Sequence, residues 1–144
     1  MPGYVDASVL LPWLIIEPDT PAVDRFLLEW TDGLVVGAFA AAEVASAFSR
    51  LVRMGRLDSA DGQATLADFD AWRAVEASSL DVEGADVRLA GVYVRRFDLM
   101  LRAPDALHAA ICRRLGFTLV TLDRRLAAAA RALVVPTIMP GKAE

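Results

Sequence analysis

The chain has 144 residues, 56% of them hydrophobic and 24% charged, with a formal net charge of −4. That composition is too apolar for intrinsic disorder, and a single domain of this length buries roughly 70% of the surface its unfolded chain exposes, so it needs no disulfide or structural metal to hold together. The lone cysteine, Cys112, excludes an internal disulfide and a multi-cysteine zinc site, and the acidic balance excludes nucleic-acid binding by bulk charge alone.

Tyr4-Val5 predicts a short first strand leading into Asp6, and Ala7 to Ile16 a short helix containing Pro12. Thr20-Pro21 reads as a helix start, with Thr20 as cap and Pro at the first helical position; Val23, Phe26, Leu27 and Trp30 share one side of that helix, which stops near Gly33. Leu34 to Val36 is an apolar run of buried-strand type. Phe39 to Met54 predicts a helix ended by Gly55, and Ser59 to Ala74 another with Ser59 as cap. Leu80 to Val82 suggests a strand, Ala85 to Phe97 a helix, and Pro104 to Leu115 a helix stopped by Gly116. Phe117 to Thr121 predicts a strand, Arg124 to Leu133 a helix, and Val134 to Ile138 a last strand. Short apolar strands alternating with helices imply a mostly parallel sheet covered on both faces. No positively charged region precedes Asp6, and the apolar stretch Val9 to Ile16 is too short to span a bilayer, so a cytoplasmic protein without membrane association is expected.

Active sites of open parallel sheets form outside the carboxyl ends of the strands. Four acids fall there. Asp6 ends the first strand, Asp123 lies just past the strand ending at Thr121, Asp105 opens a helix directly after Pro104, and Glu43 sits early in the helix that follows Leu34 to Val36. Singly, each has a local explanation: Asp6 and Asp123 as N-caps, Asp105 and Glu43 as charges favoured by a helix dipole. Glu43 fits that explanation least, because Ala40, Ala41, Ala42, Val44, Ala45 and Ala47 surround it in sequence and a lone buried carboxylate is costly. Jointly, four acids at one sheet edge repel each other unless a cation neutralises them, and hard carboxylate oxygens suit Mg²⁺ or Mn²⁺. Such a site fits hydrolysis of phosphodiester bonds by metal-activated water.

The segments Tyr-Val-Asp-Ala-Ser-Val-Leu-Leu (4 to 11), Glu43 in its Ala-rich helix, Leu-Arg-Ala-Pro-Asp-Ala-Leu-His-Ala-Ala (101 to 110) and Leu-Val-Thr-Leu-Asp-Arg-Arg-Leu (119 to 126) together resemble a PIN domain, and their order and spacing resemble the VapC-type toxins of bacterial toxin–antitoxin pairs. The resemblance covers nearly the whole chain and is most specific from Arg102 to Asp123. It implies a single three-layer α/β/α domain with a central, mostly parallel sheet. It also implies an endoribonuclease dependent on Mg²⁺ or Mn²⁺, with Asp6, Glu43, Asp105 and Asp123 as metal-holding catalytic acids. As partners it implies an RNA substrate, a homodimer and a small antitoxin whose C-terminal segment blocks the acidic groove. Leu126 stands where such proteins often carry Phe, at a position expected to pack.

Ser8 and Thr121, each two residues from an acid of the quartet, are candidates for supporting hydrogen bonds or for local turn bonds. His108 shares a helix face with Asp105 and is read as a packing residue in preference to a proton carrier; Cys112 is read as core. Arg102 and Arg124 are the best placed phosphate contacts, ahead of Arg95-Arg96, Arg113-Arg114 and Arg125. Trp13, Trp30 and Trp72 are read as core in preference to base-stacking platforms. Helices 22–30, 39–54 and 59–74 offer an apolar surface to an antitoxin, and 59–74 with 85–97 a two-fold interface. Two alternatives stand beside this reading. One is a Mg²⁺-binding signalling receiver, although the chain lacks a second acid at the end of its first strand and its one lysine, Lys142, lies in the tail. The other is a degenerate PIN fold that binds RNA or protein without cutting.

Overall fold

The computed structural model of the chain describes residues 1–143. Four of the apolar runs anticipated as strands, with Ala77–Ser78, pair into a five-stranded, all-parallel sheet in the order β3-β2-β1-β4-β5, formed by β1 (Gly3–Val5), β2 (Leu34–Val35), β3 (Ala77–Ser78), β4 (Thr118–Val120) and β5 (Thr137–Ile138). Tyr4 pairs with Leu119 and Val5 with Val120. Because side chains alternate across a strand, this register sends Tyr4 and Leu119 to one face and Val5 and Val120 to the other. The first face packs on α5 (Gly84–Val94), α6 (Ala103–Leu115) and α7 (Arg124–Ala132), through residues such as Ala90, Ile111 and Leu126. The second packs on α1 (Ala7–Leu14), α2 (Thr20–Glu29), α3 (Ala38–Arg53) and α4 (Ser59–Glu76), through Leu10, Val23, Phe48 and Phe69. This is the expected three-layer α/β/α architecture, and Leu126 is buried as anticipated. Among the described residues no helix is long and apolar enough to cross a membrane.

The strand order reverses between β1 and β4, since the chain builds outward to β2 and β3 on one side and to β4 and β5 on the other. The crevice outside the carboxyl ends of β1 and β4 is therefore the switch point at which sheets of this kind bind ligands. The receiver order, 2-1-3-4-5, is a different one.

Several expected boundaries move. The third strand is Ala77–Ser78 and not Leu80 to Val82: α4 runs on to Glu76, delivers the chain straight to the β2 edge, and leaves Leu80 and Val82 to pack against the core. Asp58, not Ser59, caps α4, its side chain accepting from the Ala60 N–H at 2.8 Å. Thr20 is the first residue of α2 and not its cap; its hydroxyl ties Pro12 and Glu17 instead. α5 ends at Val94, and Phe97 belongs to a separate 3₁₀ turn, Phe97–Leu99.

The last strand is shortened to Thr137–Ile138 because the C-terminus of α7 closes over Val134. Val135 N–H donates to Ala130 O at 2.9 Å and Val134 N–H to Arg131 O at 3.0 Å, with Val134 held at φ 60°. Gly116 fills the equivalent left-handed position after α6, at φ 71°. A β-branched residue there is strained, whereas glycine is not. Val134→Gly is expected to raise stability by about 1 kcal/mol and Gly116→Ala to lower it by about the same amount. Urea unfolding of the two variants measures both signs.

Candidate active site

Asp6 leaves β1 at the switch point, where its N–H still donates to Val120 O of β4 at 3.2 Å. Its side chain makes no capping bond to α1. Instead, both carboxylate oxygens are taken by hydroxyls: Ser8 Oγ donates to Oδ1 at 2.6 Å and Thr121 Oγ1 to Oδ2 at 2.6 Å. Each hydroxyl is oriented in turn by a backbone donor, Leu122 N–H on Ser8 at 2.8 Å and Asp123 N–H on Thr121 at 3.1 Å. The loop leaving β4 thus holds the carboxylate that leaves β1. Burial raises the proton affinity of Asp6 above the ordinary carboxylate range, and the two hydroxyl bonds and the nearby His108 offset only part of that shift.

Asp105 stands in the first turn of α6, directly after Pro104 and two residues after the helix starts at Ala103. Its carboxyl is also pushed up, first by burial and then by the charge of Asp123, while Arg102 and His108 pull the other way. Arg102 is exposed and reaches Asp105 Oδ2 at 3.7 Å. Asp123 caps α7, accepting from the N–H groups of Arg125 at 2.9 Å and Leu126 at 3.1 Å. Capping and a place beside Asp105 are therefore both properties of this residue.

Glu43 does not lie in the apolar surround its neighbours suggested. It is half-buried on α3, and Oε1 meets His108 Nε2 at 2.5 Å. The other ring nitrogen of His108, Nδ1, meets the Tyr4 hydroxyl at 2.6 Å. His108 is buried, but it is not the simple packing residue expected: both its nitrogens are hydrogen-bonded and it connects β1, α6 and α3. The only available signal was its helical spacing from Asp105.

Of the four acids, Asp105 feels the charge of Asp123, Asp6 and Asp105 both feel His108, and Glu43 is bonded to His108. Their carboxylates do not share one coordination sphere: among the described residues no group of three or more His, Cys, Asp or Glu side chains could hold a metal ion.

The basic candidates divide. Arg114 is not a free phosphate contact, because it grips Asp86 with Nε at 2.5 Å and Nη2 at 2.9 Å. Arg96 is paired with Asp98. Arg95, Arg124 and Arg125 are exposed and have no ion-pair partner among the described residues, and of these Arg124 and Arg125 adjoin Asp123. The tryptophans are engaged elsewhere: the Trp13 and Trp72 rings lie 4.5 Å apart, and Trp30 stacks on Phe26 and donates to Gly33 O. Beside Asp105, Phe39, Val87, Val94, Pro104 and Leu107 line an apolar groove of about 330 Å³.

The family model for the PIN domain matches residues 3–132. Among solved structures, the toxin VapC20 of Mycobacterium tuberculosis, described as cleaving the sarcin–ricin loop, is similar at 17% identity and a TM-score of 0.72, over 88% of this chain and 94% of that one. The DNA-bound VapBC complex of Salmonella typhimurium contains a chain similar at 14% identity and a TM-score of 0.70, over 96% and 98% of the two chains. FitAcB of Neisseria gonorrhoeae contains one similar at 16% identity and a TM-score of 0.67, over 94% and 96%. A comparison with curated protein sequences returns no significant match.

Proposed function

The chain belongs to the PIN domain family, and from that premise we propose that it is an endoribonuclease dependent on Mg²⁺ or Mn²⁺ that acts as the toxin of a type II toxin–antitoxin pair. The observation that carries this reading is Asp6, buried at the switch point with both carboxylate oxygens held by the hydroxyls of Ser8 and Thr121, while the charge of Asp123 raises the carboxyl of Asp105 at the start of α6. The acids of α6 and the β4 exit, Asp105 and Asp123, are set against one another, an arrangement relieved by a cation.

The donor chemistry fits a hard divalent ion, since all four proposed ligands, Asp6, Glu43, Asp105 and Asp123, offer carboxylate oxygens. Joint coordination requires the side chains of Glu43, Asp105 and Asp123 to turn inward on a backbone that already stands at one edge. When bound, the cation supplies an activated water and charge stabilisation for a phosphodiester. The chain's own contribution is positional. Ser8 and Thr121 hold Asp6, while Arg102 and Arg124 stand exposed next to quartet acids, where they can take phosphate oxygens of RNA. Pro104 sets the helix start that carries Asp105.

The partners proposed are an antitoxin and a second copy of the chain. The antitoxin's C-terminal segment would enter the acidic groove while α2, α3 and α4 give it an apolar grip; a DNA-bound VapBC is among the similar solved structures. The second copy would meet α5 and the 3₁₀ turn after it, where Val87 and Val92 on the helix and Phe97 and Met100 at the turn are exposed. The exposed apolar residue at the C-terminal end of α4 is Val75.

The activity is tested by incubating the purified, antitoxin-free protein with a panel of structured RNAs, with Mn²⁺ and with EDTA. Cleavage that depends on Mn²⁺ supports the proposal. Cleavage unaffected by EDTA refutes the metal dependence, and no cleavage of any RNA favours the PIN fold that binds without cutting. Millimolar Mn²⁺ is also expected to raise the melting temperature of the parent protein, because a ligand that binds only the folded state stabilises it. The shift should vanish when Asp6→Asn is combined with Asp105→Asn. Equal shifts in both proteins would place the ion elsewhere.

A further inference from the structure

We propose that the apolar groove between α5 and the start of α6 takes an unpaired nucleobase of the RNA strand, next to the phosphodiester presented to the acids. The inference rests on the reading of RNA as the substrate of that site.

Two walls of the groove adjoin acids of the quartet. On α3, Phe39 precedes Glu43 by four residues, which puts the two on one side of the helix. On α6, Pro104 lines the groove and Asp105 follows it directly. The Phe39 ring lies 5.5 Å from the ring of His108, one turn beyond Asp105. The rest of the lining comes chiefly from one stripe of α5, Val87, Gly91 and Val94, and from Leu107 of α6. None of these side chains carries a hydrogen-bonding group, so the groove holds an apolar face and leaves a polar edge to the solvent. At about 330 Å³ it stands at the small end of ligand sites, which suits one flat ring system laid beside Phe39.

Two further observations point to a nucleic-acid strand as the occupant. The first is Gly91, exposed in the interior of α5, where glycine is less favourable than alanine. A Cβ built there meets nothing within 4 Å, and the backbone is not left-handed. The fold therefore does not call for glycine at this position, and its effect is to keep the groove wall bare. The second is the charge at the mouth. Arg95 directly follows Val94, and Arg102 directly precedes Ala103; both are exposed. Arg95 has no ion-pair partner among the described residues, and Arg102 reaches Asp105 only at 3.7 Å. A nucleotide strand sets a flat base between anionic phosphates, and an apolar slot between two free cations is its complement. Unstacked bases of single-stranded RNA are held in this way, laid on aromatic side chains. The apolar side chain of a second copy would gain nothing from the two arginines.

The test titrates short single-stranded RNA homopolymers of A, C and U, and an abasic strand of the same length and charge, into the full chain in EDTA, so that binding is read without cleavage. Methyl NMR follows Val87, Val94 and Leu107, and melting curves report folding. The base-bearing strands are expected to shift these methyls and to bind about tenfold more tightly than the abasic strand. Gly91→Leu, which fills the groove from α5, should melt no lower than the parent and bring base-bearing strands down to the abasic affinity, with the abasic affinity unchanged. Phe39→Leu, which stays apolar but has no ring face, should lose most of the preference for bases; it carries the comparison should Gly91→Leu not fold. A parent that binds both kinds of strand alike, or neither, overturns the proposal, as does base-dependent binding that leaves the three methyls unmoved or a folded variant that keeps the parent's preference. Methyls that move on dilution without RNA assign the groove to a second copy and overturn it too. The activity fails separately: a protein with the base preference that cuts no RNA refutes the nuclease reading alone, and one that cuts RNA in Mn²⁺ without the preference refutes the base site alone.

Discussion

Asp105→Asn is expected to lower RNA cleavage by more than 100-fold while leaving the fold intact. Asn keeps the shape and one oxygen but removes the negative charge that a hard divalent ion requires. Losing one such ligand in the transition state is worth several kcal/mol, and each 1.36 kcal/mol is about tenfold in rate. The fold has no reason to suffer. Burial and the charge of Asp123 both raise the Asp105 carboxyl above its ordinary range. A carboxyl raised in this way contributes stability that is present below its unfolded pKa and lost as pH rises through the folded one. At neutral pH the ionised group is therefore a liability in metal-free buffer, and the variant should melt no lower than the parent there. Cleavage assays in Mn²⁺ paired with melting curves in EDTA separate the two effects. A variant that cuts within a few-fold of the parent would reduce Asp105 to a helix-end charge.

The largest stability loss is expected from Asp86→Ala, at about 3 kcal/mol, because the substitution removes charge-assisted hydrogen bonds together with a helix cap. Asp86 has no exposed surface and takes three donors: two from Arg114, and the Glu83 N–H at 2.9 Å. It closes the capping box of α5 and at the same time fastens that helix to the last turn of α6. Asp86→Asn should lose less, because its amide oxygen can still accept from Glu83. The pH dependence has the opposite sign to that of Asp105. Arg114 holds the Asp86 carboxyl below its usual range. Its contribution is therefore present above the unfolded aspartate value and is lost as pH falls through the folded one. The gap in stability between parent and Asp86→Ala should be full at neutral pH and shrink in acid, as read from urea unfolding at several pH values. A gap that does not change with pH would mean that the Arg114 pair contributes nothing beyond packing.

These two acids differ in how far local sequence betrays them. Asp105 sits beside Pro104 in a short segment whose helix-start chemistry is local, and its candidacy could be read without knowing what it faces. Asp86 offers only the promise of a cap, because its partner Arg114 lies 28 residues further on. Arg114 itself looked like a free cation in an Arg-Arg pair, yet it is spent on a buried carboxylate. The same limit hid the partners of His108: Tyr4 and Glu43 lie 104 and 65 residues from it.

By itself, the order of apolar runs and breakers determined the alternation of strands and helices, the parallel sheet, and the placing of Asp6, Glu43, Asp105 and Asp123 near its carboxyl edge, because periodicity, capping and chain direction are properties of a few neighbouring residues. Only the tertiary structure decided where β3 pairs, since Ala77–Ser78 takes its place from the register of β2 and not from its own hydrophobicity. It also decided which hydroxyls close on Asp6 and what occupies His108. Local spacing nominates Ser8 and Thr121 and the Asp123 cap, but partners such as Thr121 for Asp6, or Tyr4 and Glu43 for His108, are brought in by elements packed from distant parts of the chain.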